Sequence, residues 1–483
     1  MLFNSIEFLF VFFPLCLAAY YAVRRHVSHQ AGLAVLSLSS LVFYAWWDAA
    51  NLPLLLISAV VNYAFGLWIA SGARVALAIG VFINLAALGV FKYANFVLDT
   101  ASSLSGASHD PVNIALPLGI SFFTFQQISF LVDVASGRTR PGKLLNHILF
   151  VAFFPHLIAG PLVQHHQIAR QFADATRKDD LWDNFGVGLS IFSVGLAKKV
   201  LLADNLAGVA SASFGAADRG GAVGFSDAWV GAIAYSLQIF FDFSGYSDMA
   251  IGLARCFGYH LPINFNAPYR ADSIIDFWRR WHISLSQFLR DHLYIPLGGN
   301  RLGELRRHVN LFVTMLLGGL WHGAAWTFVI WGAIHGVLLA LNHVWEKHGP
   351  VGRTVLKHKP VRIGLVCLAV MLAWVFFRAG SFDGALAMFA GLAGMSGPGG
   401  LVEPQALALI GLCLLLVWKA PDTAEFFYHH LDTACLETAR VTQPKPGVFV
   451  WRPAPLLAGG AAALLFIAVL NASRATEFIY FAF

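Results

Sequence analysis

Residues 311–344 read LFVTMLLGGLWHGAAWTFVIWGAIHGVLLALNHV, a run without a single Asp, Glu, Lys or Arg. As one straight helix rising about 1.5 Å per residue it would extend for about 50 Å, well beyond a hydrocarbon core of about 30 Å. The run therefore belongs to a membrane, and it bends or breaks inside it. Gly318, Gly319 and Gly323 bracket Trp321 and His322, which places the break at this pair. Non-helical backbone at membrane depth is tolerated only where protein or a cavity surrounds it. A break of this kind marks a site.

The rest of the chain fits that solvent. Of its 483 residues 58% are hydrophobic and 12% charged, and the mean hydropathy is +0.66. A soluble domain cannot hide that much apolar surface behind so few charges. Further apolar stretches at 2–23, 32–47, 52–69, 76–91, 116–134, 148–163, 185–202, 229–254, 363–377, 406–417 and 455–470 bring the expected crossings to about eleven to thirteen. The stretch 2–23 lacks a preceding basic residue and runs into Arg24 and Arg25, so it reads as a retained span with its basic end in the cytoplasm. The net charge of +6 resides in short loops such as that of Arg138, Arg140 and Lys143, as the positive-inside rule requires, and no nucleic-acid partner is expected. The five cysteines (Cys16, Cys256, Cys367, Cys413 and Cys435) form no CxxC pair, and no metal is expected.

Three polar stretches are expected at the membrane face: 164–184, 419–443 and 272–293. In the last, Ile274, Trp278, Trp281, Leu285 and Phe288 follow steps of four and three, a helical apolar seam, while Asp276, Arg280, Gln287 and Asp291 occupy another face.

The candidates for chemistry follow from this layout. His322 lies deep in the uncharged run, and an imidazole with a pKa near neutrality can take a proton from a hydroxyl. The structural alternative is a histidine hydrogen-bonded between helices, and His335 has the same surroundings. His282, one turn after Trp278, either orients a substrate and assists His322 or is an interfacial histidine capped by a neighbour. Arg279 and Arg280 either hold the phosphates of a donor, which guanidinium matches bidentately, or anchor the helix at the headgroups. Asp242, Ser244, Tyr246, Ser247 and Asp248 place two carboxylates at membrane depth, where they line a polar passage or pair with Arg279 or Arg280 to fix the fold. No Gly-x-Ser-x-Gly elbow, P-loop or His-Glu-x-x-His is present, which speaks against a soluble-type hydrolase.

The segments FKYANF (91–96), LPLGISF (116–122), FPHLIAGP (154–161), FDFSGYSDMA (241–250), NFNAPY (264–269), FWRRWHISLS (277–286), YIPLGGNR (294–301), GGLWHG (318–323) and the terminal FIYFAF together resemble the membrane-bound O-acyltransferase family, in its bacterial polysaccharide-acetylating branch. The likeness runs nearly end to end, with core motifs at about 90–345 of one transmembrane domain, 1–483. It departs at Gln164, where many bacterial members carry a basic residue. The resemblance implies an all-α polytopic fold, a ring of tilted transmembrane helices with re-entrant and interfacial helices around a central tunnel. It implies that His322 and His282 are catalytic. Arg279, Arg280, Trp321, Asp242, Tyr246 and Asn266 are the candidates for binding substrate or donor. It further implies acetyl-CoA as acyl donor with no bound cofactor, the bacterial inner membrane as location, and a periplasmic acetyltransferase and a polysaccharide synthase or secretion complex as partners. The acceptor would be a periplasmic glycan, alginate- or cellulose-like. A transporter or export channel is the competing class, but paired broken helices in two related halves are absent from the sequence. A non-catalytic scaffold for a polysaccharide synthase would tolerate loss of both histidines.

Overall fold

Apolar helices dominate a computed structural model of the chain, which describes residues 1–106, 109–175, 180–348, 358–400, 402–445, 447–472 and 478–479. Among the described residues every regular element is a helix. Seven helices of the described residues are long and apolar enough to cross a membrane: Phe8–His26, His29–Asp48, Leu52–Ala70, Arg74–Ser105, Leu181–Asp218, Trp326–Lys347 and Lys359–Arg378. Four shorter apolar helices accompany them, Ile120–Ala135, Phe382–Leu392, Pro404–Lys419 and Pro455–Asn471. The stretch 229–254 lies in a longer helix, Phe225–Cys256 of 32 residues, which carries Asp242 and Asp248 in its interior.

The chain divides into two compact units, one of Met1–Phe192 with Met249–Pro262, the other of Ser193–Asp248 with Ile263–Phe483. In the first, Ile120–Ala135 is buried almost along its whole length. The stretch 148–163 is not a span: its helix stops at Ala152 and residues 153–163 continue as buried irregular chain. Pro155 and Pro161 cannot donate backbone hydrogen bonds, which ends the helix despite the apolar composition. Packing compensates, since Phe154 stands with Phe3, Phe8, Phe12 and Phe43 in an aromatic cluster. Gln164, the departure noted above, is buried and closes a reciprocal cap with Gln167 at the start of His165–Ala173.

In the second unit, Glu304–His322 and Trp326–His348 lie side by side, separated by the break anticipated at Trp321 and His322. The helix ends at His322, and Gly323 turns away in extended conformation (φ −160°, ψ 148°). Small residues let the two backbones meet. A Cβ on Gly319 would stand 2.3 Å from the Phe328 carbonyl oxygen and 3.0 Å from the Gly332 Cα. Close approach of this kind replaces the hydrophobic driving force that lipid withholds.

The seam at 272–293 does not form one helix. It is divided into Ile274–Trp278 and Ile283–Leu289, with a turn carrying Arg279, Arg280, Trp281 and His282 between them. The interfacial stretch 419–443 likewise consists of short turns, Thr423–Phe426, Tyr428–His430 and Thr433–Thr438. Of the terminal FIYFAF motif only Phe478 and Ile479 lie within the described residues.

Gly319→Val should destabilise the detergent-solubilised protein by about 1–3 kcal/mol, the usual cost of overpacking. Gly364→Ala, on a helix face with nothing within 4 Å, should leave the melting temperature nearly unchanged. Equal melting of the two variants would contradict the close helix pairing.

Candidate active site

Two histidines meet where two helices are interrupted. His322 is the last residue of its helix, buried, with its ring 4.9 Å from Trp321, 5.2 Å from Trp331 and 5.2 Å from Phe377, all measured between centroids. His282 immediately precedes Ile283–Leu289 and is completely buried. Its ring lies 6.3 Å from that of His322 and 6.3 Å from that of Trp321, with Phe243 edge-on at 4.7 Å. The structure thus brings together three of the residues singled out in the sequence: His282, Trp321 and His322.

What interrupts the helix at His282 is a second segment of chain. The backbone N–H of Asn266 donates to the Arg280 carbonyl, and that of Ile283 donates to the Asn264 carbonyl, each at 3.0 Å. These bonds satisfy groups that the missing helical turn would leave unpaired, an unpaired buried group costing roughly 1–3 kcal/mol. His282 itself takes the left-handed conformation (φ 42°, ψ 54°). Among the described residues the other non-glycine positions with positive φ are Ala267 and Arg440. Asn266 joins them: its amide donates to the Ala439 and Arg440 carbonyls at 3.1 and 3.3 Å. Backbone strain of this sort costs about 1–3 kcal/mol per residue and gathers at functional sites.

Asn264, the first residue of the motif NFNAPY and without a local signal of its own, fixes the His282 ring. Its Oδ1 accepts from the Ser284 backbone N–H at 3.2 Å and from the Ser284 hydroxyl at 2.8 Å, while its Nδ2 donates to Ser247 Oγ at 3.2 Å. A backbone N–H can only donate, so the atom facing it is the amide oxygen. His282 Nδ1, 3.1 Å from that same oxygen, must therefore carry the proton. In the neutral ring Nε2 then bears the lone pair. His282 lies outside the seven spans, and burial holds its pKa below the ordinary histidine value, favouring that neutral form. His335 is fixed in the opposite sense: Trp278 Nε1, a donor only, donates to its Nδ1 at 3.2 Å.

The two arginines separate. Arg280 pairs with Asp276 at 2.8 Å and donates to the Asn266 carbonyl at 3.2 Å, which holds the turn together. Arg279 instead stands with Arg290, Arg440 and His343 around an open cavity of about 360 Å³, whose walls include Trp278, Ile283 and Met315. All three arginines are exposed. Ile283 adjoins His282 in sequence, and Met315 precedes His322 by two helical turns on the same face, about 10 Å along the axis. Arg440 lies far from the other two in sequence, and nothing in the local pattern announces it.

The buried carboxylates find lysines rather than the expected arginines. Asp242 pairs with Lys199 at 2.7 Å, and Lys199 also meets Asp204 at 2.7 Å. Asp248 pairs with Lys198 at 2.8 Å, and Lys198 donates to Thr423 Oγ1 at 2.7 Å. Tyr246 packs edge-on against Phe478 at 4.4 Å. These contacts tie helices and the described part of the C-terminal segment to one another. Among the described residues no group of three or more His, Cys, Asp or Glu is arranged to hold a metal ion.

Residues 112–351 match the model of the membrane-bound O-acyltransferase family. Peptidoglycan O-acetyltransferase of Helicobacter pylori is 40% identical over 475 residues, which cover 92% of this chain and 86% of that one. The probable alginate O-acetylase AlgI of Pseudomonas aeruginosa is 44% identical over 400 residues, 80% of this chain and 74% of its own. Teichoic acid D-alanyltransferase of Bacillus subtilis is 28% identical over 249 residues, 50% of this chain and 62% of its own.

Nitrogen-15 NMR of histidine-labelled protein should report His282 as neutral at pH 7 with the proton on Nδ1. Asn264→Ala should abolish that preference. A dominant Nε2–H form in the unaltered protein would contradict the bonding scheme.

Proposed function

This chain belongs to the membrane-bound O-acyltransferase family, and from that premise we infer that it carries acetyl from acetyl-CoA to a hydroxyl of a periplasmic acceptor, in the O-acetylation of an exopolysaccharide. It is a multi-pass membrane protein and an O-acyltransferase. The observation that carries the finer reading is the meeting of His322, at a helix end, with His282, whose Nε2 lone pair is set by Asn264.

The chemistry balances without a cofactor. His322 takes the proton of the acceptor hydroxyl as the oxygen attacks the thioester carbonyl, whose π electrons move onto oxygen. The tetrahedral adduct collapses with cleavage of the carbon–sulfur bond, and the leaving thiolate recovers the proton from His322. His282 assists by orienting the hydroxyl or the carbonyl. Aromatic walls of Trp321, Trp331 and Phe377 keep water away, and the low dielectric strengthens any dipole directed at the developing oxyanion.

The arginine-rimmed cavity supports a polyanionic donor. Arg279 and Arg440 offer guanidiniums to phosphate oxygens, whereas Arg290 is held by Asp291 at 2.7 and 3.1 Å, and a pantetheine arm would bridge from there to the histidines. Acceptors of the polysaccharide class are suggested by the names of the relatives, alginate for one and peptidoglycan for another. A periplasmic acetyltransferase and a polysaccharide synthase as partners, and the bacterial inner membrane as location, belong to the same reading.

Purified protein given radiolabelled acetyl-CoA and acceptor glycan should lose about 10²–10⁴-fold of its transfer rate on His322→Ala, the scale of general-base catalysis, with its melting temperature retained. Passage of intact acetyl-CoA without thioester cleavage would make the protein a channel instead. Arg279→Gln and Arg440→Gln should each raise KM for acetyl-CoA about tenfold with kcat little changed, as loss of a charge-assisted hydrogen bond requires. An unchanged KM would remove the cavity from the donor path.

A further inference from the structure

An open groove of about 430 Å³ lies along the helices Trp326–His348 and Lys359–Arg378, closed at one end by residues 272–274, and what it binds does not depend on the acyl-transfer reading. Both helices carry membrane-spanning character. Leu341, Trp345 and Leu365, all on the groove, are about half exposed, so the groove opens towards lipid. Its floor is aliphatic, from Leu338, Leu365, Val366 and Ala369. Its other end is polar, formed by Asp272, Ser273, Asn342, Glu346 and Arg362.

The polar end is held in place from within the protein. Asn342 Oδ1 accepts the backbone N–H groups of Ile274 and Ile275 at 2.9 and 3.4 Å, and its Nδ2 donates to Glu346 Oε1 at 3.2 Å. Arg362 donates through Nη2 to Asp272 Oδ2 at 2.8 Å. Its Nε–H is buried and has no hydrogen-bond partner among the described residues. The short segment 272–275 thus brings Glu346, Asp272 and Arg362 to the same end, two carboxylates against one guanidinium.

We propose that this groove binds one aminophospholipid of the phosphatidylethanolamine class. Its acyl chains lie along the aliphatic floor, a phosphate oxygen accepts from the exposed part of the Arg362 guanidinium, whose side chain is 40% exposed, and the primary ammonium donates to Glu346 and Asp272. The charge balance selects this headgroup. A net negative rim repels phosphatidylglycerol and cardiolipin, whereas it attracts a cationic amine. A quaternary choline has no N–H to offer the carboxylates and forgoes the charge-assisted bonds that an ammonium makes. The exposed Trp345 indole at the mouth suits the headgroup boundary.

The test reconstitutes the full chain in nanodiscs of equimolar phosphatidylethanolamine, phosphatidylcholine and phosphatidylglycerol, then counts retained lipid by native mass spectrometry after stepwise delipidation. One phosphatidylethanolamine per chain should persist. Glu346→Gln, on an exposed side chain, should reduce its retention about tenfold, the scale of one charge-assisted bond, and relax the discrimination against phosphatidylglycerol. Arg362→Gln should reduce retention of all phospholipids alike, with a melting curve verifying the fold; if that variant does not fold, Glu346→Gln decides alone. Equal retention of the three lipids, preference for phosphatidylglycerol, retention unchanged in Glu346→Gln, or no retained lipid at all would overturn the proposal.

Discussion

In a bilayer every backbone N–H and C=O must find its partner inside the protein, and the candidate site exists where that demand is met without a continuous helix. The helix ending at His322 can stop because Gly323 turns into surroundings built by its own neighbour, Trp326–His348. The turn carrying His282 can interrupt its seam because Asn264 and Asn266 supply backbone partners at 3.0 Å. Each interruption takes an imidazole that a regular helix would have directed along its flank and holds it at a helix terminus. The left-handed backbone of His282 is the strain that accompanies this placement, and the surrounding hydrogen bonds offset it.

The polar residues of the second unit divide by what they touch. Lys198 and Lys199 neutralise Asp248 and Asp242 at 2.8 and 2.7 Å, a use of buried charge that joins elements distant in sequence. Breaking such a pair typically costs 3–5 kcal/mol because one charge is left uncompensated. His282 and His322, by contrast, sit among the rings of Phe243, Trp321, Trp331 and Phe377. A neutral imidazole can accept a proton and return it within one acyl transfer, so the site needs no net charge in its resting state.

How far the sequence reached depended on the range of the interaction. The break beside Trp321 and His322 follows from one local fact, an uncharged run too long for the bilayer, and the structure places it there. The family resemblance, spread over nine motifs, is matched by the relatives. The division of 272–293 was hidden, because Trp278, Trp281, Leu285 and Phe288 keep helical spacing across a turn that is imposed by residues 264–266. The same holds for the pairing of Asp242 and Asp248 with lysines on a neighbouring helix, and for Arg440 beside Arg279: each depends on a contact that only folding creates. Apolar composition alone points to a span over 148–163, but Pro155 and Pro161 lack the donors a helix needs, and the helix stops at Ala152.

The central claim is that thioester and alcohol meet at His322, with His282 beside it. The most direct measurement is a cryo-electron microscopy map of the protein in nanodiscs with a non-cleavable thioether analogue of acetyl-CoA. The account predicts the acyl carbonyl oxygen within hydrogen-bonding distance of one of the two imidazoles, and the phosphates against Arg279 and Arg440. Density for the analogue elsewhere, with the His322 ring sealed against Trp331 and Phe377 and no path to it, would contradict the account.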